Sequence, residues 1–381
     1  MTASKASSVR NMIDKNAFSS PKKIIVSRSG ILGDTLVALP SLWVLRDAFP
    51  LASIVYLYER LLLQDFVSPP QILDGSGLVN QFYAYLSFKN PLLKFCSSIP
   101  LYFHLHRHAF DLGIVLEEPH WSSRRKKFLK ACGVEIVIGP DGSEPQIQRD
   151  DAGRLKLLPH IADTLMDILR PLGVSIPPPG KGSMVLPRTQ SDRIKIDLWV
   201  KKQRCFENDR PKIALAPWSN MPLKRWPLGR YKEVVRRLIV EYEVIPIVFG
   251  STRESDIGEE LVRSWKQGLV VTGELSIREG VELLSRCDLF LGNDTGTMHM
   301  AVCAGIPCVA IFSARDNPGR WEPYGSIHFV FRRSVPCEGC MLRVCSENKM
   351  RCILSIGIDE VSEACHQILR EKLGGKKPYH V

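Results

Sequence analysis

KIIVSRSGILGDTLVALPSLWVLRDAF, residues 23–49, carries a β-branched run, a glycine-containing loop and an apolar-periodic segment in direct succession. The run after Pro21 predicts a strand over 23–27, and apolar residues at helical intervals from Asp34 to Phe49 predict a helix. Together they read as one βα unit. Further short apolar strands follow at 53–59 (SIVYLYE), 111–117 (DLGIVLE) and 134–139 (VEIVIG), separated by stretches with helical spacing. Strands that are apolar on both faces belong to parallel sheets covered by helices on either side.

Proline and glycine concentrate over 173–190, which predicts a connection. The alternation restarts beyond it with apolar strands at 212–218, 244–250, 269–271, 289–292 and 307–312, and helical stretches between them. A last amphipathic stretch runs from Asp359 to Leu373. The expected fold is α/β with two Rossmann-like parallel-sheet domains facing a central cleft and a C-terminal helix. The expected divisions are a disordered extension over 1–21, a first domain over 22–200, a second over 201–358, and a terminal helix and tail over 359–381. A length of 381 residues suits two cores of this kind.

Hydrophobic residues make up 45% and charged residues 24%, values of an ordinary globular chain. The N-terminal stretch is polar and lacks the apolar region of a secretory signal, so a cytoplasmic protein is expected. The apolar stretch 91–105 is interrupted by Lys94, Pro100 and His104 and falls short of the roughly 20 residues a membrane span needs. The net charge of +11 is divided almost evenly between the halves and forms no basic tail. With no accompanying nucleic-acid motif, it suits an anionic membrane surface or a phosphorylated acceptor better than a nucleic acid. The densest basic run, Arg124, Arg125, Lys126, Lys127 and Lys130, reads either as an acceptor-binding patch or as a solvated helix face.

Ligands of open parallel sheets bind beyond the carboxyl ends of the strands, so the loops there are the site candidates. The loop SRSGILGD ends in Asp34, which reads as a helix cap or as a cleft-facing base for a sugar hydroxyl. GNDTGTMHMA (292–301) places Asp294, Thr295, Gly296 and His299 at a helix N-terminus, where free backbone N–H groups suit a diphosphate; the same residues also serve as simple caps and packing. PWSNMPLKRWP (217–227) sets Lys224 in a loop where a cation neutralises a leaving diphosphate or merely meets solvent. In VFGSTRESD (248–256), Glu254 reads as a ribose contact or as first-turn helix charge. No Asp-x-Asp occurs, so no metal cofactor is expected in catalysis. Eleven cysteines include a Cys-x2-Cys-x4-Cys-x6-Cys cluster at Cys337, Cys340, Cys345 and Cys352, which spacing allows as a structural zinc or iron knuckle or as free thiols.

These segments, in this order, resemble the heptosyltransferases of glycosyltransferase family nine, whose members have the GT-B fold. The resemblance rests on the Gly-Asp loop before a helix containing Leu39 and Pro40, on Lys224-x-Trp226-Pro227, on Asp294-Thr-Gly-x-x-His299, and on ARDNPGRWEPYG over 314–325. It implies an inverting transferase with Asp34 as general base and ADP-heptose as donor. It further implies Lys224 on the donor phosphates, Glu254 on the ribose, Leu275 on the base, Asp294 on the heptose, and Thr295, Gly296 and His299 on the diphosphate. The acceptor implied is an anionic glycolipid, the inner core of lipopolysaccharide, met at the inner face of the bacterial inner membrane. A protein acceptor is the alternative within the class, and a non-catalytic nucleotide-binding module the alternative outside it.

Overall fold

The computed structural model describes residues 21–60, 66–86, 91–142, 146–203, 206 and 209–374. The expected disordered extension lies, but for Pro21, outside the described residues. Strands β1 (Lys23–Ser27), β2 (Ser53–Arg60), β3 (Gln81–Leu86), β4 (Leu112–Val115) and β5 (Ile136–Ile138) form one parallel sheet in the order β3-β2-β1-β4-β5. The chain steps outward from β1 to β3 and then returns across the sheet to β4. Right-handed crossovers therefore put α1 (Leu32–Leu36), α2 (Leu39–Ala48) and α3 (Pro69–Leu73) on one face, and α4 (Pro91–His108) and α5 (Pro119–Ala131) on the other. The packing agrees: Leu39 and Leu42 bury against Ile24 and Val26, while Leu105 and Leu129 bury against Ile25 and Leu57.

The single helix expected over 34–49 is two helices, because α1 ends at Leu36 and α2 begins at Leu39. Pro40 then falls in the first turn of α2, where its missing N–H has no intrahelical partner to lose. Strand β3, QFYAYL, was not anticipated; it is an edge strand, mostly half-buried, and lacks the continuous apolar run of the central strands. Helix α6 (Ile161–Asp167) packs on α2.

The second sheet, β11-β10-β9-β6-β7-β8, contains β6 (Lys212–Ala216), β7 (Ile245–Gly250), β8 (Leu269–Thr272), β9 (Leu289–Asn293), β10 (Cys308–Ile311) and β11 (Phe329–Phe331), all parallel. Its helices are α7 (Gln190–Lys201), α8 (Leu228–Tyr242), α9 (Ser255–Trp265), α10 (Ile277–Leu284), α11 (Gly296–Cys303), the short α12 (Arg351–Leu354) and α13 (Ile358–Lys372). Helix α7 lies against α10, joined by Lys195–Glu279 (3.0 Å) and Arg278–Asp192 (3.2 Å) ion pairs. Helix α7, placed in the first domain by the expected division at residue 200, thus packs on a helix of the second sheet. The terminal helix α13 packs on α8 as part of the second domain.

Both sheets reverse direction beside their first strand, between β1 and β4 and between β6 and β9. The loops leaving these strands open crevices at the carboxyl edges. Helix α1 contacts α11, so the two crevices face one another. Among the described residues no helix is long and apolar enough to cross a membrane.

Candidate active site

Asp34 is the third residue of α1, and its Oδ2 accepts a hydrogen bond from the Ile31 amide at 3.0 Å. This is a first-turn carboxylate bonded back to the cap, rather than the N-cap itself. Gly30, at φ 119°, makes the close approach feasible, because a Cβ there would lie 2.3 Å from that of Asp34. Arg28 is buried behind the loop; its Nε donates to the Asp34 carbonyl (2.8 Å), its Nη1 to Leu116 O (2.6 Å), and its Nη2 lies 3.9 Å from Asp34 Oδ1. Glu117 is buried beside it and accepts from the Ser29 amide at 2.5 Å, and burial pushes its carboxyl above the usual range. The sequence offered no signal for Arg28 or Glu117. Arg28 shares the loop of Asp34, whereas Glu117 arrives because β4 neighbours β1, 88 residues separating it from Ser29.

Across the cleft, Lys224 Nζ and Asp294 Oδ2 form an ion pair at 2.5 Å, with side chains 15% and 13% exposed. Asn293, fully buried, ties their loops together: its Oδ1 accepts from Trp226 N (3.1 Å) and Tyr231 OH (2.9 Å), and its Nδ2 donates to Pro217 O (2.7 Å). Thr295 is the N-cap of α11, and its Oγ1 is buried without a partner among the described residues. His299, one turn on, is buried with Nδ1 unpartnered, and burial lowers its pKa to about 3. It is therefore a neutral imidazole at physiological pH and contributes a hydrogen-bonding edge, not a cation. Glycines bring the halves together: a Cβ on Gly33 would lie 3.2 Å from His299 Cδ2, and one on Gly296 2.8 Å from Leu32 Cδ2.

The depressed His299 pKa ties stability to pH. The unfolded chain takes up this proton near 6.5, the folded chain only near 3, so its contribution is complete above 6.5 and is lost as pH falls toward 3. Wild type is expected to lose up to about 1.4 kcal/mol per pH unit from this group in that window. Chemical denaturation from pH 7 to pH 4.5 should show a shallower loss for His299→Gln, and equal slopes would remove His299 as the cause.

Three adjoining cavities follow the cleft. One of about 250 Å3 is lined by Glu254, Leu275, Phe249, Thr295 and Gly296. Glu254 accepts from the Ser251 amide at 2.6 Å, so its carboxylate closes a first-turn capping box as well as facing the cavity. The next, about 370 Å3, holds Asp34, Lys224, Asp294, His299, Arg315 and Arg320. The third, about 440 Å3, is lined by Asp34, Glu117, Tyr85, Trp121, Arg124 and Arg125. Asp34 lines both of the larger ones.

The basic run divides. The Arg125 guanidinium lies 3.7 Å over the Tyr85 ring and donates to Ser29 Oγ (3.2 Å), and burial lowers its pKa to about 10, which leaves it protonated at neutral pH. Arg124 is exposed at the cavity rim. Lys126 pairs with Asp141 and Lys127 points to solvent, both outside the cavity lining, because successive helical residues face different directions.

The 314–325 segment is woven between the domains. Arg320 pairs with Glu118, Asn317 Nδ2 donates to Gln148 O (2.7 Å) and Lys156 O (2.9 Å), and Tyr324 OH donates to Asp163 (2.6 Å). The cysteine-containing loop braces the same region: Gly339 N donates to Ala314 O (2.8 Å), Arg315 Nε to Leu342 O (3.1 Å), and Leu223 N to Arg343 O (3.2 Å). Cys337, Cys340 and Cys345 are half-buried on that loop, while Cys352 is buried in α12; burial, then the neighbouring Cys337 and Cys340, push its thiol up. Among the described residues no three His, Cys, Asp or Glu side chains are arranged to hold a metal ion.

Two facing Rossmann-like sheets with post-strand loops lining the cleft define the GT-B class. Residues 185–351 match the model of glycosyltransferase family 9 (heptosyltransferase). Over that segment the chain is similar to the family. The lipopolysaccharide heptosyltransferase 2 of Salmonella typhimurium is 32% identical over 176 residues, 44% of this chain and 49% of the relative, so this chain spans about half the length of that relative. The fold is similar to a glycosyl transferase family 9 protein from Veillonella parvula, with a TM-score of 0.69 at 20% identity over 93% of this chain and 98% of that one. It is also similar to E. coli ADP-heptose lps heptosyltransferase II, with a TM-score of 0.63 at 17% identity over 92% and 99%.

Proposed function

We propose that the chain is an inverting glycosyltransferase that moves heptose from ADP-heptose to the inner core of lipopolysaccharide, working at the inner face of the inner membrane. The observation that carries this reading is the position of Asp34, whose carboxylate lines both the cavity holding Lys224, Asp294 and His299 and the one holding Arg124 and Arg125. A group so placed reaches an acceptor hydroxyl on one side and a donor anomeric carbon on the other. The nucleoside then occupies the cavity of Glu254 and Leu275, with Glu254 on the ribose and Leu275 on the base. The diphosphate lies against the Thr295 and Gly296 amides at the start of α11, with Lys224 as its cation and His299 as a neutral hydrogen-bonding partner. Asp294, released from Lys224, faces the transferred sugar.

Asp34 takes the proton of the acceptor hydroxyl as its oxygen attacks the anomeric carbon from the face opposite ADP. The carbon–phosphate-oxygen bond breaks with oxocarbenium character, and the charge that develops on ADP meets Lys224 and the helix N-terminus. Arg124 and Arg125 supply cationic contacts for an anionic acceptor. A single assay tests the whole: release of ADP from ADP-heptose with heptose-deficient lipopolysaccharide or with a polypeptide as acceptor. Turnover with the glycolipid alone is the expected result. Turnover with the polypeptide alone would move the activity to a protein acceptor, and none with either would leave a nucleotide-binding module. Excess EDTA is expected to leave the transfer rate unchanged, since cationic side chains and backbone amides face the diphosphate; a collapse restored by Mg2+ would overturn that assignment.

A further inference from the structure

We propose that the outer face of the α4–α5 layer docks on an anionic lipid bilayer. The proposal rests on the glycosyltransferase reading only for the identity of the acceptor as lipid-borne; the surface itself is argued from its own residues. Helices α4 and α5 cover the same face of the first sheet, where Leu105 and Phe110 share a buried cluster with Leu129 and Cys132. Their 18 and 13 residues contain no Asp or Glu. On α4, Ile99 and Phe103 are 40% and 56% exposed, and the exposed Arg107 continues their four-residue spacing along one stripe. On α5, the exposed Trp121, Arg124 and Lys127 follow a three-residue spacing, with Lys130 beyond.

Several exposed arginines elsewhere are neutralised, Arg236 by Glu233, Arg237 by Asp359 and Arg370 by Glu363, whereas Arg193, Arg343 and Arg351 stand singly among the described residues, without neighbouring exposed cations on a carboxylate-free helix pair. On this layer Arg107, Arg124, Lys127 and Lys130 have no carboxylate partner among the described residues. A single exposed apolar residue is ordinary. Large apolar side chains set among unneutralised cations, with carboxylates excluded from both helices, complement a surface that is anionic at the headgroups and apolar beneath. A nucleic acid matches the charge but leaves Ile99 and Phe103 in water. The layer also borders the third cavity, since Trp121 and Arg124 belong to both. Docking on this side brings the mouth of that cavity to the bilayer, where a lipid-anchored sugar is presented.

Flotation of the full chain with vesicles of phosphatidylcholine, alone or mixed with phosphatidylglycerol, tests the proposal without donor or acceptor. Wild type is expected to float with the anionic vesicles only, less so at high salt. Phe103→Glu and the pair Arg107→Glu/Lys130→Glu, all outside the cleft, are each expected to weaken binding at least about tenfold. Phe103→Trp should retain it, and melting temperatures should not move. ADP release with a deacylated, water-soluble acceptor should be unchanged in these variants. Equal binding to both vesicle types, variants that float like wild type, or tighter binding to duplex DNA than to vesicles at one ionic strength would each overturn the docking face. Failure of transfer to the soluble acceptor by wild type would instead strike the glycosyltransferase reading and leave the docking result standing.

Discussion

Asp34→Asn is expected to lower turnover by about 100- to 10,000-fold, the range lost with a positioned general base. The amide oxygen still accepts from the Ile31 N–H, so α1 keeps its first-turn bond and the loop keeps its shape. Arg28 should stay in place as well, because its short contacts run to the carbonyls of Asp34 and Leu116 and only its 3.9 Å contact involves the carboxylate. ADP affinity and melting temperature should therefore match wild type while kcat collapses. Near-normal kcat would return Asp34 to the role of a helix-end carboxylate. Loss of ADP binding and stability together would mean that the side chain chiefly holds the loop.

Lys224→Ala is expected to weaken ADP binding on the order of 100-fold, by the magnitude usual when one member of a shielded charge pair is removed. Two effects act in the same direction. The donor diphosphate loses its cation, and Asp294, whose side chain is 13% exposed, is left unneutralised beside the incoming phosphates. The second effect can be isolated. In Lys224→Ala/Asp294→Asn the repulsion is gone, so ADP affinity should recover part of the loss seen with Lys224→Ala alone, and titration calorimetry would resolve the difference. The salt dependence of ADP binding should also become shallower without Lys224. An ADP affinity within threefold of wild type in the single variant would place Lys224 away from the phosphates.

The electrostatics of the cleft bear on both results. Lys224 and Asp294 neutralise one another, so under the proposed function a donor diphosphate would compete with Asp294 for the lysine. Such a preformed pair lowers intrinsic phosphate affinity but holds both side chains in place. His299 does not add to the positive field, since burial keeps it neutral. The cations of the middle cavity are Lys224, Arg315 and Arg320, set among Asp34, Glu118, Asp294 and Asp316, and Arg320 is itself paired with Glu118 of the first domain. That pair joins the domains across the cleft, and residues 318 and 320 further accept backbone hydrogen bonds from Leu158 and Ile161.

The βα alternation and the two-sheet architecture were legible in local signals: β-branched runs such as KIIVS and KIALA, helical apolar spacing, and the Pro/Gly stretch that separates the halves. The candidate site was legible where a residue type sits in the loop that follows such a run, as with Asp34, Lys224 and Asp294, because the carboxyl ends of parallel strands are where ligands bind. Signals of this kind reach only as far as neighbouring residues. Which strand lies beside β1 is settled by crossovers and by burial of both faces, and only that adjacency brings Glu117 and Glu118 to Arg28 and Asp34. Likewise, α7 reads from its sequence as the end of the first domain, and only the fold shows its ion pairs with α10 of the second sheet. The basic run reads as one patch, but helical rotation sends Arg125 into the cavity and Lys126 to Asp141. The cysteine spacing marks the loop as a candidate knuckle, but only the fold shows that its backbone also bonds to Ala314 and Arg315 beside the cleft. Sequence therefore determined the elements and the residue types at their ends, whereas tertiary structure decided the partners, because charge, burial and hydrogen bonding act through space between segments that the chain order keeps far apart.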